Sequence, residues 1–303
     1  MSDWIYEELC KIVGEENIEK DVIMKKHTTF RIGGNADYFL TPKTEGHICE
    51  SIDFCKKNDI KYYIIGNGSN ILVSDEGIRG VVIKLFDNFA DYVVEGSKII
   101  AKPGILLSKL SNIAASKGLT GLEFAGGIPG TLGGAIAMNA GAYGGEMKDV
   151  VTGVKVLDAA GKIIIIDAAD MNFGYRKSVV SQNNYIVVEV EMELKEGDEE
   201  EIRAKMNELK LKRTSKQPLD LPSAGSTFKR PEGYFAGKLI MDAGLKGYSI
   251  GGAQVSEKHC GFIVNKSNAT AGDVLKLIKY IQKTVHEKFN VDLETEIKMI
   301  GKM

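Results

Sequence analysis

Two glycine-dense loops carry the residue types most suited to chemistry. Gly66-Asn67-Gly68-Ser69-Asn70 sets two glycines, two amides and a hydroxyl directly after a strand-like run. Residues 121–145, GLEFAGGIPGTLGGAIAMNAGAYGG, hold nine glycines in 25 positions, and 34 in 303 would place about three there. Fixed glycine costs backbone entropy, so this density needs a use: left-handed turns, or bare N–H groups brought close to an anion. A flexible linker favours Ser and other polar residues. This stretch instead sets Leu, Phe, Ile, Met and Tyr between its glycines, with Glu123 as its one charge. A packed, phosphate-holding loop is the expectation, with Thr131 at a helix start suited to an anion.

Neither loop carries a nucleotide fingerprint. G-x-G-x-x-G needs glycine at position 71, which is Ile71. Gly161-Lys162 and Gly237-Lys238 lack the upstream glycine and following Ser/Thr of a P-loop. Ala224-Gly225-Ser226 is a small-residue turn that can present a hydroxyl, but Phe228 rules out a G-x-S-x-G elbow. Phe173-Gly174-Tyr175-Arg176 places an arginine, suited to bidentate carboxylate binding, beside an aromatic. Glu294, Glu296 and Lys298 alternate on the last strand-like segment and share one face. Read alone, Ser226 is a turn serine, Arg176 a solvated cation and the alternating charges an outer strand face. Lys210, Lys212, Arg213 and Lys216 complement a helix C-terminus, and a bound diphosphate would explain the same cluster.

Apolar spacing predicts helices over 3–13, 44–58, 106–117, 198–213, 234–243 and 270–289. Strands are predicted over 62–65, 71–73, 81–85, 92–95, 99–101, 150–158, 162–167, 185–194, 261–264 and 293–300. Gly118 stops the third helix, and Ala159-Ala160-Gly161 turns a hairpin. This mixture, without regular βαβ alternation, reads as α+β. A composition shift near 196–216 marks a domain boundary.

The 303 residues exceed one comfortable core. A net charge of −2 argues against a broad nucleic-acid or membrane surface, and no apolar run nears the ~20 residues of a membrane span. Cys10, Cys49, Cys55 and Cys260 form no C-x-x-C pair, so neither zinc nor a redox dithiol is expected, and no metal site is assigned. The cytoplasm is the default compartment.

Several motifs in order resemble one family: His27-Thr28-Thr29-Phe30-Arg31-Ile32-Gly33-Gly34, the GNGSN turn, residues 121–147, 173–178, 223–231 and 293–300. They look like the UDP-N-acetylmuramate dehydrogenases, also called UDP-N-acetylenolpyruvoylglucosamine reductases, across about residues 27–300. The resemblance implies two FAD-binding lobes of the vanillyl-alcohol-oxidase/p-cresol-methylhydroxylase type, 1–86 and 87–196. A C-terminal α+β substrate-binding domain, 197–303, completes the expected architecture.

The implied reaction, a step of peptidoglycan synthesis, is NADPH reduction of FAD. Hydride then passes from flavin N5 to C3 of UDP-N-acetylglucosamine enolpyruvate, and a proton from Ser226 to C2. Arg176 and Glu296 match the pair that polarises the substrate carboxylate. The implied cofactor-binding set is Gly66, Asn67, Gly68, Ser69, Asn70, Gly126, Gly127, Ile128, Pro129, Gly130, Thr131, Gly133, Gly134, Asn139 and Gly141. Tyr175, Lys216, Lys229, Arg230, His259 and Lys298 fall at substrate-binding positions. Only Glu232-Gly233 separates Pro231 from Tyr234, so the chain resembles the shorter form of the family, without an inserted Tyr-bearing loop. A monomer binding neither nucleic acid nor membrane is expected. A related flavoenzyme with another substrate, and a non-catalytic UDP-sugar-binding protein, are the competing readings.

Overall fold

The computed structural model describes residues 3–303. Contacts group them into two units. One holds residues 3–20, Tyr38–Asn67 and Val81–Arg213, and the other Asp21–Asp37, Gly68–Gly80 and Thr214–Met303.

The first unit has two apolar cores. In one, helix Trp4–Val13 starts at Asp3, whose carboxylate accepts the Tyr6 N–H, and helix Glu45–Lys57 starts at Thr44, which accepts from His47 N. Ile48, Ile52 and Cys55, four and three residues apart, form the buried stripe of the second helix. They share this core with Val81 and Ile83, whose strand segment runs parallel to Tyr62–Ile65. The other core lies on an antiparallel five-stranded sheet. Its order is Ile163–Asp167, Val151–Leu157, Ile186–Glu193, Lys98–Ala101, Tyr92–Glu95. Strand alternation buries Val154, Val156, Val190 and Met192. Helices Leu107–Ser116 and Leu132–Ala137 add Leu107, Leu110, Leu132 and Ile136 to the same core.

The second unit joins a four-stranded antiparallel sheet to one long helix. The sheet runs Ser223–Ser226, Phe262–Asn265, Ala253–Val255, Ser249–Ile250. Helix Ala271–Phe289 buries Val274, Leu277, Ile278, Ile281 and Val285, a continuous helical stripe. Thr270 and Asp273 close its start as a capping box. Asp75 adds a second cap, accepting Ala271 N at 2.8 Å and Gly272 N at 2.9 Å. Phe30, Ile32 and Leu72, from far earlier in the chain, complete this core.

Three expected elements differ. Residues 293–300 are not one strand: only Lys298–Ile300 is, paired in parallel with Ile71–Val73, and Thr295 makes an isolated bridge to Phe228. Ala224-Gly225-Ser226, expected as a turn, lies within strand Ser223–Ser226 on the sheet edge. The charged helix runs three residues further than expected, over Glu199–Lys216.

Candidate active site

The GNGSN turn follows strand Tyr62–Ile65 and is held at two places. In the first unit, Asn67 Nδ2 donates to Pro129 O at 2.7 Å. The Cα of Gly66 lies so close to Thr131 that a Cβ there would stand 2.2 Å from Thr131 Oγ1. In the second unit, Gly68 has φ 66°, accepts from Thr29 N, and would place a Cβ 2.1 Å from His27 O. Only glycine satisfies both demands. Among the described residues the N–H groups of Asn67, Gly68, Ser69 and Asn70 have no protein acceptor. Consecutive unpaired amides are rare inside a fold and suit an anion.

The second glycine loop is built the same way. Gly130 and Thr131 offer unpaired N–H groups, whereas the next two are taken, Leu132 N by Ile105 O and Gly133 N by Pro103 O. The unpaired amides therefore precede helix Leu132–Ala137, and its first turn is tied to the fold. Pro129 supplies the carbonyl that Asn67 grips, and Ile128 N closes back on Ala125 O. A Cβ on Gly133 would meet Pro103 Cβ at 2.7 Å, one on Gly126 the Ser111 hydroxyl at 3.1 Å, and one on Gly134 nothing nearer than 3.8 Å.

Arg213 approaches the bare face of Gly127, where a Cβ would lie 3.1 Å from Arg213 Cδ. Its Nε is buried without a hydrogen-bond partner, and burial pushes the guanidinium pKa down. A half-buried guanidinium whose buried Nε lacks a partner, set against a glycine loop, suits an anion. Sequence alone places Arg213 in a helix-end cluster that a bound diphosphate would also explain, without linking it to Gly127. Its position 86 residues after Gly127 left no local signal.

Asn139 and Gly141, both expected at the cofactor, are held by contacts within the first unit. Asn139, buried with φ 43°, donates through Nδ2 to Glu146 Oε2 (2.8 Å) and Gly174 O (3.3 Å), and its Oδ1 accepts Lys148 N (3.0 Å). Gly141 lies in a two-strand ribbon where a Cβ would meet Gly145 O at 2.8 Å. Asn139 thereby anchors the turn carrying Arg176. Gly174 N bonds Lys177 O (3.1 Å), Lys177 N returns to Gly174 O (3.3 Å), and Arg176 sits at φ 54°. Its guanidinium carbon lies 5.3 Å from the exposed Tyr175 ring. The Lys148 ammonium, the Asn139 amide and the Arg176 charge together hold the Glu146 carboxyl below its usual range.

The second unit brings Ser226 and Glu296 onto adjoining backbones. Ser226 ends strand Ser223–Ser226 opposite Phe262, after a register shift and Gly225 at φ 76°. Its neighbour Thr227 organises the junction. Thr227 N donates to Gly261 O (2.8 Å), its hydroxyl accepts Ile263 N (3.1 Å), and its carbonyl accepts Glu296 N (2.8 Å). Ser226 and Glu296 are both half-buried. Asn70 aligns the same segment, donating to Glu296 O (3.3 Å) and accepting Lys298 N (2.9 Å). The alternation of Glu296 with Lys298 thus comes from backbone pairing to Thr227 and Asn70, where the sequence suggested one strand face.

The remaining expected binders lie in the same unit. Lys229 donates its N–H to Glu294 O at 2.8 Å and pairs its ammonium with the Glu294 carboxylate. Arg230 stacks 4.0 Å from the centre of the Phe235 ring. Lys298 is exposed on its short strand, and Lys216 is the exposed last residue of its helix. Nδ1 of His259 accepts Gly261 N at 3.1 Å, and burial pushes its pKa below the usual histidine value. His259 is therefore neutral, with Nε2 as its donor.

Residues 36–167 match an FAD binding domain, and residues 217–300 match the C-terminal domain of UDP-N-acetylenolpyruvoylglucosamine reductase. The UDP-N-acetylenolpyruvoylglucosamine reductase of Alkaliphilus metalliredigens is 54% identical over 299 residues, 99% of this chain and 98% of that protein. The chain belongs to the UDP-N-acetylenolpyruvoylglucosamine reductase family.

The crystal structure of that reductase from Thermus caldophilus superposes with a TM-score of 0.81 at 38% identity, covering 94% of this chain and 99% of that one. Alkyldihydroxyacetonephosphate synthase shares the fold alone, with a TM-score of 0.50 at 16% identity over 65% of this chain and 42% of that one. The α+β class and an FAD-binding domain followed by a C-terminal domain stand as expected. The chain is a flavoprotein of the FAD type. The first unit's residues fit that group: unpaired amides at Asn67, Gly130 and Thr131, no room for a Cβ on Gly66 or Gly133, and an Arg213 Nε without a partner.

Proposed function

We infer that this protein reduces UDP-N-acetylenolpyruvoylglucosamine in peptidoglycan precursor synthesis, with NADPH as the electron source. The observation that carries this reading is likeness over 99% of the chain to a reductase of that name, in a chain with two glycine loops that leave amides unpaired. When bound, FAD supplies two-electron chemistry, taking hydride from the nicotinamide and passing it to the enolpyruvyl carbon C3. Amides of Asn67, Gly68, Ser69, Asn70, Gly130 and Thr131 would hold its diphosphate, and Arg213 would add a half-buried positive charge there.

The remaining roles fall to side chains. Negative charge develops at C2 of the substrate once C3 has gained hydride, and it must be stabilised where it forms. Arg176, held in its left-handed turn, pairs with the substrate carboxylate. Glu296 hydrogen-bonds that carboxylate in its protonated form, since two bare carboxylates repel. Ser226 donates its hydroxyl proton to C2, and the serine recovers it from solvent, so hydride plus proton saturates the double bond. Lys216 and Lys298 take the anionic parts of the sugar nucleotide, Tyr175 packs on it, and His259 offers Nε2–H. Lys229 and Arg230 border this region.

The enzyme works as a cytoplasmic monomer in this reading, because one chain supplies every assigned group. No helix among the described residues is long and apolar enough to cross a membrane.

The test separates two half-reactions. Ser226→Ala should leave flavin bleaching by NADPH at its normal rate and slow re-oxidation by the enolpyruvyl sugar nucleotide by ~10²–10⁴. Equal slowing of both halves would make the serine structural. Protein that shows no flavin spectrum and takes up no added FAD would end the reading.

A further inference from the structure

A cavity of about 670 Å³ opens in the second unit, lined by Lys25, Lys26 and Arg31 on one side and by Lys266 on the other. No carboxylate lines it, and among the described residues none of these four cationic groups has an ion-pair or hydrogen-bond partner. The chain as a whole carries net charge −2, so this concentration of positive charge is local. Four like charges around one hollow repel one another, most strongly at low ionic strength. All four are exposed, so solvent ions screen them, and an anion with several charges could replace those ions.

The walls are also fixed. Asn265 Nδ2 reaches across to Phe30 O (3.2 Å) and Arg31 O (3.4 Å), and its Oδ1 accepts Ala269 N (2.9 Å). Lys266 N is tied to Gly252 O at 2.9 Å. Arg31 and Asn268, on opposite sides, sit in the left-handed region at φ 54° and 47°. A preorganised wall spares a ligand the entropy of ordering it. The position differs from that of Ser226. Ser226 pairs with Phe262, whereas Asn265 lies three residues along the same strand, roughly 10 Å away at strand rise.

We propose that this cavity is a second anion site that binds a compact polyphosphate. Its size falls within the ~300–1,000 Å³ of small-molecule sites. A hollow lined by four cations and no carboxylate suits a linked di- or triphosphate better than an extended acidic peptide, which needs a groove. The phosphates of a nucleotide and of a free polyphosphate share this chemistry.

Calorimetric titration of the FAD-saturated protein with sodium tripolyphosphate at low salt tests the proposal. One saturable site is expected, weakened at least ~10-fold in Lys25→Gln/Arg31→Gln/Lys266→Gln, since charge-assisted hydrogen bonds are lost. Retained flavin absorbance shows that the variant is folded. Should it lose flavin, Lys25→Gln and Lys266→Gln singly should each weaken binding about 3-fold. ATP binding tighter than tripolyphosphate, with adenosine inert, would assign the site to nucleotides, and equal affinities would assign it to free polyphosphate. Absence of saturable binding, or affinity unchanged in the variants, overturns the proposal; unchanged affinity would place the anion elsewhere.

Discussion

Gly66→Ala isolates the contact that joins the two cradle loops within the first unit. The backbone of Gly66 is not left-handed, so alanine brings no φ penalty, and the cost is steric. The new methyl would stand 2.2 Å from Thr131 Oγ1 and 3.2 Å from both Thr131 Cβ and Cγ2. Ordinary contact begins near 3.4 Å, so either loop must yield by about 1 Å. Overpacking of this size costs about 1–3 kcal/mol, and the displaced amides should weaken FAD binding by ~10-fold or more. Thr131→Ala removes Oγ1 and Cγ2 and leaves only the mild 3.2 Å contact. The double variant should therefore recover at least about 1 kcal/mol relative to additivity. Gly68→Ala, which strikes the His27 carbonyl at 2.1 Å, should have no side-chain rescue. Gly153→Ala, with nothing within 4 Å, is the neutral control. Urea unfolding of the apoprotein and FAD titration by flavin fluorescence give the four corners of the cycle. Wild-type FAD affinity in Gly66→Ala, or a coupling energy of zero with Thr131→Ala, would refute the reasoning.

Other expectations follow from the same geometry. Asn139→Gly keeps the left-handed backbone and removes the side chain that steadies Gly174. It should cost about 1–3 kcal/mol and raise KM for the enolpyruvyl substrate more than it slows flavin reduction, in a stopped-flow comparison of the half-reactions. Glu45 is partly buried, which alone would raise its pKa, but hydrogen bonds from Lys102 and Lys155, each at 2.7 Å, bring it below the usual glutamate value. Its stabilisation is complete above the unfolded pKa of roughly 4.3 and is lost as pH falls through the depressed folded value. Glu45→Gln should cost about 1 kcal/mol in urea at pH 7 and progressively less on acidification. His259 is disfavoured as a cation by burial, so stability should decline as pH drops below its unfolded value of roughly 6.5. His259→Gln should flatten that limb of the denaturation profile.

Most helices and strands were legible from spacing, because Ile48, Ile52 and Cys55, or Val274 to Val285, repeat at the period of the element that buries them. Both glycine loops were legible from density alone. What escaped depends on partners distant in the chain. Ser223–Ser226 has no β-branched residue, and it is a strand only because Phe262–Asn265 offers a free edge. Residues 293–297 alternate, yet their backbone is claimed by Thr227 and Phe228. The left-handed Arg176 and the orphaned Nε of Arg213 are visible only once Asn139 and Gly127 are in place.

The second unit takes Phe30, Ile32, Leu72 and Asp75 into the core and helix cap of residues 214–303. During synthesis those four emerge from the ribosome some 200 residues before the helix they serve. The first unit's sheets can close while translation proceeds, but Phe30 and Ile32 must stay uncovered until the last strands arrive. The nascent protein therefore passes through a stage with an apolar tether in water, when holding chaperones would protect it. A fragment begun at Thr214 would lack part of its own core and should be recovered as aggregate, however well its helix and hairpins are formed.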